Sequence, residues 1–224
     1  MPVIEPVAII RTPFSGKFGV PRQSGLVAVE GKIIFEPAFR APEAVRGIEG
    51  FSHLWLIWGF SQAKRQGNPL TVRPPRLGGN ERVGVFASRS PFRPNGLGLS
   101  CVKLLRVDYE DPLGPVLYVS GADLTDGTPI YDVKPYLPFA DAVPDAVGGF
   151  ADAVAGQRLR VEYKTDTALL PAETLRQLTE VLAGDPRPHY QDDPARVYAF
   201  EFGGYHVEFT CENGVCAVTN VSEA

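Results

Sequence analysis

The sequence predicts a mainly β protein, with an all-β main body and a smaller α+β unit towards its C-terminus. Three observations point there. Proline (21) and glycine (23) are abundant in the 224 residues, which favours short strands and turns over a helical bundle. Short apolar runs bounded by turn residues recur as far as Tyr136, the pattern of successive strands. One clear amphipathic helix follows, and then a closing hairpin. With 44% hydrophobic residues, the chain can bury a sizeable core.

The elements follow in order. "VAIIR" (7–11) and "KIIF" (32–35) read as short strands, separated by the loop "TPFSGKFGVPRQSGL". "PEAVRGIEG" reads as one or two helical turns. "HLWLIWGF" (53–60) is almost continuously apolar, which fits a strand buried on both faces or a barrel strand. "QAKRQGNPLTVRPPRLGGNER" is a long basic loop, and "VGVFAS" (83–88) a further strand. "LSCVKLLRVDYE" and "VLYVSGADL" alternate as strands, and "DGTPIYDVKPYLP" is a turn followed by an extended run. The Pro/Ala/Gly-rich stretch after Tyr136 reads as a surface segment or linker. "PAETLRQLTEVLAGDP" is a helix with Leu175, Leu178, Val181 and Leu182 on one face and Gly184 and Pro186 at its end. "RVYAFEF" and "YHVEFTC…CAVTNV" then form strands and a hairpin.

Composition narrows the function classes. No window reaches the ~18 apolar residues of a membrane span. "MPVIEPVAII" lacks the basic start of a signal peptide and carries Glu5. A cytoplasmic protein is expected. Cys211 and Cys216 flank the Asn-Gly turn of "ENGV". They should face each other in a non-hydrogen-bonded pair, as free thiols on the buried face with Phe209 and Val218. The three cysteines and three histidines show no metal-ligand spacing. The net charge of −4 is unevenly spread. Residues 61–106 hold nine Lys/Arg against Glu81 alone, whereas residues 107–224 hold seven against twenty Asp/Glu. A basic segment in an acidic chain points to a phosphate-facing patch.

Two stretches carry candidate chemistry. In "FASRSPFRPNGLGL" (86–99), Pro91 and Pro94 fix φ and push Ser90 and Arg93 towards extended backbone. Arg89 and Arg93 are thereby held on a stiff loop, where a guanidinium loses less freedom on gripping a carboxylate or phosphate. In "ADLTDGTPIYDVKPY", strict alternation places Ile130, Asp132, Lys134 and Tyr136 on one strand face, with Tyr131 and Val133 on the other. An acid, an amine and a phenol together are able to handle protons. Neither G-x-G-x-x-G after a strand nor G-x-x-x-x-G-K-[ST] occurs, so a Rossmann dinucleotide site and a P-loop are disfavoured.

Several longer motifs occur together and in order: "VPRQSGL", "AVRGIEGFSHLWLIWGF", "VRPPRLGG", "GVFASRSPFRPNGLGLS", "DLTDGTPIYDVKPYLPFAD" and "DPRPHY". In these the chain resembles the TsaA-like (YaeB-like) family of S-adenosylmethionine-dependent tRNA (adenine-N6)-methyltransferases. The resemblance covers nearly the whole chain and is densest over residues 6–141. It implies a small antiparallel β-barrel with a C-terminal α+β appendage, working as a homodimer. The expected division is a methyltransferase barrel over 1–141, a linker or surface segment over 142–160, and an α+β domain over 161–224. It also implies methylation of N6 of threonylcarbamoyl-adenosine beside the tRNA anticodon.

By motif position, the cofactor contacts carry over to Arg22, Gln23, Ser24, Ser61, Gln62, Arg89, Leu99 and the run Ser120, Gly121, Ala122 and Asp123. The sequence departs from the family pattern at Ser61, where members carry His, and at Gly96, which replaces a second proline after Asn95. The N6 nitrogen is acylated, so a base taking its proton helps by about 10²–10⁴-fold. Asp126, Lys134 and Tyr136 are the candidates as a group. Arg93, beside Asn95, suits the threonyl carboxylate. Arg73, Arg76 and Arg82 suit tRNA phosphates. Two rival readings are a non-catalytic S-adenosylmethionine- or RNA-binding barrel and a methyltransferase for another substrate.

Overall fold

The apolar run at 53–60 becomes strand β3 (His53–Gly59), and its burial alternates. Leu54, Leu56 and Trp58 are buried, while His53, Trp55 and Ile57 are half-exposed. This is the signature of a barrel strand, with one face in the core and the other on the outer wall. In this computed structural model, residues 3–63, 67, 69–74, 81–187 and 193–224 are described. β3 is joined by β1 (Ala8–Arg11), β2 (Glu30–Phe35), β6 (Leu97–Asp108), β7 (Val116–Ser120) and β8 (Thr128–Pro135). They close in the order β1-β2-β7-β6-β3-β8, and every pairing is antiparallel. Closure leaves no open sheet edge. Ile10, Ile33, Leu117, Val119, Val102 and Ile130 fill the interior beside the β3 side chains.

A second sheet has the order β10-β11-β12-β9: β10 (Tyr198–Phe202), β11 (Tyr205–Glu212), β12 (Val215–Glu223) and β9 (Arg160–Tyr163). Helix α2 (Ala172–Ala183) buries Leu178, Val181 and Leu182 against it. Cys211 and Cys216 face each other across the hairpin, free and buried with Phe209 and Val218, as expected from the Asn-Gly turn. Strand β9, parallel to β12, went unread in the sequence. Its four residues are only half-buried or exposed and show no alternation.

Two local readings need correction. Only Val83–Gly84 (β5) of 83–88 is strand, paired with β4 (Thr71–Val72). Val85–Ala87 turns as a 3-10 segment, with the Ser88 hydroxyl donating to the Val85 carbonyl at 2.9 Å. The turn buries Val85 and turns Phe86 outwards. In β8 the alternation is broken by a bulge. Ile57 faces Asp132 while Trp58 faces Ile130, so Tyr131 is skipped. Ile130 and Val133 therefore pack on the same core, and Ile130 does not share a face with Asp132 and Lys134. After β8, a single helical turn α1 (Pro138–Asp141) lies over the wall, where Asp141 accepts from the Trp55 indole at 3.0 Å. Among the described residues, no helix is long and apolar enough to cross a membrane.

Candidate active site

At one end of the barrel a cleft of about 870 Å³ opens between β3, the start of β6, the 17–23 loop and the 88–93 loop. Its wall is aromatic. Trp58 and Phe60 meet edge to face at 4.4 Å. Trp58 lies flat on Gly98, its partner in β6. A Cβ at Gly98 would stand 2.3 Å from the indole, so only glycine admits this ring.

Behind the wall runs a short polar chain. The Trp58 indole donates to the Ser100 hydroxyl at 2.9 Å, and Ser100 donates to the Asp123 carboxylate at 2.5 Å. Burial raises the Asp123 pKa. The Ser100 hydrogen bond, its own backbone, the nearby Arg89 charge and the Ser24 backbone act in the opposite direction. Asp123 is the one carboxylate among the described residues lining the cleft, against Lys17, Arg22, Arg89 and Arg93. The rim thus suits anions, and the interior holds one half-buried carboxyl group.

The rim cations are held by the loops. Arg89 donates to the Gln23 amide oxygen, which ties the 88–93 loop to the 17–23 loop. Arg93 donates to the Ser88 carbonyl at 3.1 Å, inside its own loop. Gly96, at φ 61°, closes the turn that brings the chain into β6, and its carbonyl accepts from Phe60 N at 2.9 Å. Lys17 reaches the Gln62 carbonyl across the mouth.

The cleft brings together Arg22, Gln23, Ser61, Gln62, Arg89, Arg93, Leu99 and Asp123. Ser24 stands just behind, accepting from Cys101 N at 3.1 Å. Ser120, Gly121 and Ala122 also lie behind the lining. Gly121, at φ 88°, exchanges backbone contact with Gly25, whose N donates to its carbonyl at 2.8 Å. Asn95 is exposed and outside the lining. Arg73 is exposed, and Arg82 donates to the Thr71 hydroxyl at 2.9 Å. Arg76 lies outside the described residues.

The proton-handling candidates sit elsewhere. Asp126 accepts from Arg11 at 2.9 Å and from Thr12 N at 3.0 Å. Lys134 pairs with Asp132 at 3.2 Å on the outer wall. Tyr136 packs against Trp55 with ring centres 5.7 Å apart, one ring away from the lining. Sequence reasoning missed Lys17, Trp58, Phe60 and Ser100 as site residues. Trp58 alone carried a signal, because alternation along β3 places it with Leu54 and Leu56. Among the described residues, no group of His, Cys, Asp and Glu is arranged to hold a metal ion.

Comparison with known proteins agrees with the motif resemblance. Residues 9–142 match the tRNA-methyltransferase O N-terminal domain, and residues 156–224 match the TrmO C-terminal domain. The chain is 43% identical over 216 residues to the tRNA (adenine(37)-N6)-methyltransferase of Escherichia coli, covering 92% of this chain and 91% of that protein. It is 47% identical over 173 residues to the protein of the same name from Eikenella corrodens, covering 76% and 97%. A crystal structure of TrmO from Pseudomonas aeruginosa superposes with a TM-score of 0.77 at 33% identity, covering 99% of both chains. With both halves matched in order and the whole fold reproduced, the chain belongs to the tRNA-methyltransferase O family.

Proposed function

We propose that this protein uses S-adenosylmethionine to methylate N6 of threonylcarbamoyl-adenosine beside the anticodon of tRNA. The activity follows the family and the names of its relatives, which act on adenine 37 of tRNA. The observation that carries the substrate reading is the cleft itself, an aromatic wall and one half-buried carboxyl group beneath four rim cations.

The residues present fit the cofactor. S-adenosylmethionine carries a carboxylate, an ammonium, a sulfonium and an adenosine, and when bound it supplies an electrophilic methyl group. Arg22 and Arg89 suit the carboxylate, and half-buried Asp123 suits a cationic or hydroxyl group. Gln23, Leu99, Ser61 and Gln62 complete the lining, with Ser24, Ser120, Gly121 and Ala122 supporting it. Positioning two reactants in one cleft supplies much of the rate for an in-line transfer.

Arg93, held by Ser88, takes the threonyl carboxylate, with Asn95 on the turn beside it. Arg73, Arg76 and Arg82 take tRNA phosphates, which makes affinity fall with salt. The acceptor nitrogen must lose its proton. We assign this to the Asp126, Lys134 and Tyr136 group, presented to the cleft of a second copy in a homodimer. The wall beside that group supports the assignment. Phe139, three residues after Tyr136, is 89% exposed, an apolar ring that a second copy would cover. Residues 1–141 form the catalytic unit in this reading, 142–160 the connection and 161–224 the appendage, in a cytoplasmic protein.

Nucleoside analysis tests the reaction. After incubation with S-adenosylmethionine and tRNA, the threonylcarbamoyl-adenosine nucleoside should gain the mass of one methylene. Cofactor binding with no mass gain would leave a binding module.

A further inference from the structure

The loop over residues 12–29 delivers Arg22 and Gln23 to the cleft, with Ser24 just behind, yet its apolar side chains belong to the other core. Phe14, Val27 and Val29 are buried with α2 and the second sheet, and Phe18 and Val20 pack beside them. Gly19, at φ 89°, lies so close to Phe200 that a Cβ would stand 2.5 Å from the ring. The loop backbone is tied on the same side. Gly203 N donates to the Pro13 carbonyl at 3.0 Å, and Ala28 N donates to the Glu180 carboxylate at 3.2 Å.

Arg22 sits at the centre of this seam. Its Nη2 donates to the carbonyls of Asp185 and Arg187 at 2.7 and 2.8 Å. These belong to the turn that ends α2, where a cation is favoured by the helix dipole. The turn is itself locked. Asp185 has φ 52°, and its carboxylate accepts from Arg187 Nε at 2.8 Å and Nη2 at 3.1 Å. Arg187 also reaches the Cys211 carbonyl at 3.4 Å. The pair is largely shielded, with side chains 14% and 16% exposed.

We propose that the 184–187 turn is a built seat for Arg22, and that Asp185 and Arg187 are positioning residues for cofactor binding. The appendage therefore sets the cofactor loop of the catalytic unit. The physical reason is that a guanidinium already held on two carbonyls through Nη2 is fixed in orientation before the cofactor arrives. Less freedom is then lost when the cofactor binds. Neither Asp185 nor Arg187 lines the cleft, so they act through Arg22. The proposal rests on the reading that residues 22–24 hold the cofactor.

Titration calorimetry with S-adenosylmethionine tests it in the full chain, alongside steady-state kinetics. Asp185→Asn keeps a residue that tolerates positive φ but removes the charge that clamps Arg187. Asp185→Asn and Arg187→Ala should each weaken cofactor binding about 5- to 150-fold, the usual range for coupled sites. Their kcat at saturating cofactor should stay within about twofold, the mark of a binding effect. Leu178→Ala, in the core of the same unit, should lower the thermal midpoint and leave cofactor affinity unchanged. Unchanged affinity in both turn variants, with Gln23→Ala weakened, would overturn the seat and leave the cofactor loop standing. Equal weakening in Leu178→Ala would also overturn it, as a general loss of structure. No weakening in Gln23→Ala would remove the cofactor-loop reading itself, and the seat with it.

Discussion

Residues 86–99 and 126–136 carry similar polar groups, yet they end on different surfaces. The first stretch leaves the barrel as a loop at its mouth and returns through Gly96 into β6. Its Arg89 and Arg93 line the cleft, held by Gln23 and Ser88. The second runs along β8, and its charges meet one another or β1 on the outer wall. Asp126 is engaged by Arg11 and Thr12, and Asp132 by Lys134 and the Val133 amide. The difference teaches that residue type alone does not place a side chain in a barrel site. Strand alternation sends the wall's charged residues outwards, and the charged groups over the cavity come from loops at its open end.

The largest effect expected is the one that can break this contrast. If the wall supplies the proton acceptor to a second copy, one of Asp126→Asn, Lys134→Ala and Tyr136→Phe should lose about 10²–10⁴-fold in kcat with cofactor affinity retained. Losses below about tenfold in all three would leave the wall outside the chemistry and Asp123 as the carboxylate within reach. At the mouth, Arg89→Ala and Arg93→Ala each remove a charged hydrogen-bond donor. Each should cost about 1.5–3 kcal/mol in kcat/KM. Arg89→Ala should act on cofactor affinity and Arg93→Ala on the modified tRNA, so identical profiles would merge the two roles.

Gly98→Ala sharpens the contrast from below the cleft. The added Cβ meets the Trp58 indole at 2.3 Å, and overpacking of this kind costs roughly 1–3 kcal/mol. Denaturant unfolding and cofactor titration should both report it, and a variant with wild-type stability would mean that Trp58 moves freely. The smallest effect concerns Asp123→Asn. Burial raises the folded pKa of Asp123 above its unfolded value. Its contribution to stability is therefore fully present below the unfolded pKa and is lost as pH rises through the folded one. Above the unfolded pKa this desolvation costs stability, so at neutral pH Asp123→Asn should raise the melting temperature while weakening cofactor binding. The gain in melting temperature should vanish below the unfolded pKa. A lower melting temperature at neutral pH would show that the carboxylate is better satisfied than its burial implies.

Much of the barrel was legible because apolar runs and the turn residues that bound them are local signals. β3 announces itself in "HLWLIWGF", and the hairpin at 213–214 in its Asn-Gly turn. The stiff arginine loop was legible because proline and glycine act on the backbone beside them. Long-range assembly was not legible. The Trp58–Ser100–Asp123 chain joins residues 42 and 23 positions apart, and Arg22 meets its seat across 163 and 165 positions. The β8 bulge was equally hidden, since it arises from pairing with β3 and not from its own residues. These features depend on which strands become neighbours, and periodicity carries no record of that.

The central claim is that the cleft recognises an adenosine already carrying a threonylcarbamoyl group. Methyl transfer from labelled S-adenosylmethionine into two tRNA pools, one with that modification and one without, tests it most directly. The account predicts label in the modified pool alone. Label in both pools, or in the unmodified pool alone, would contradict it.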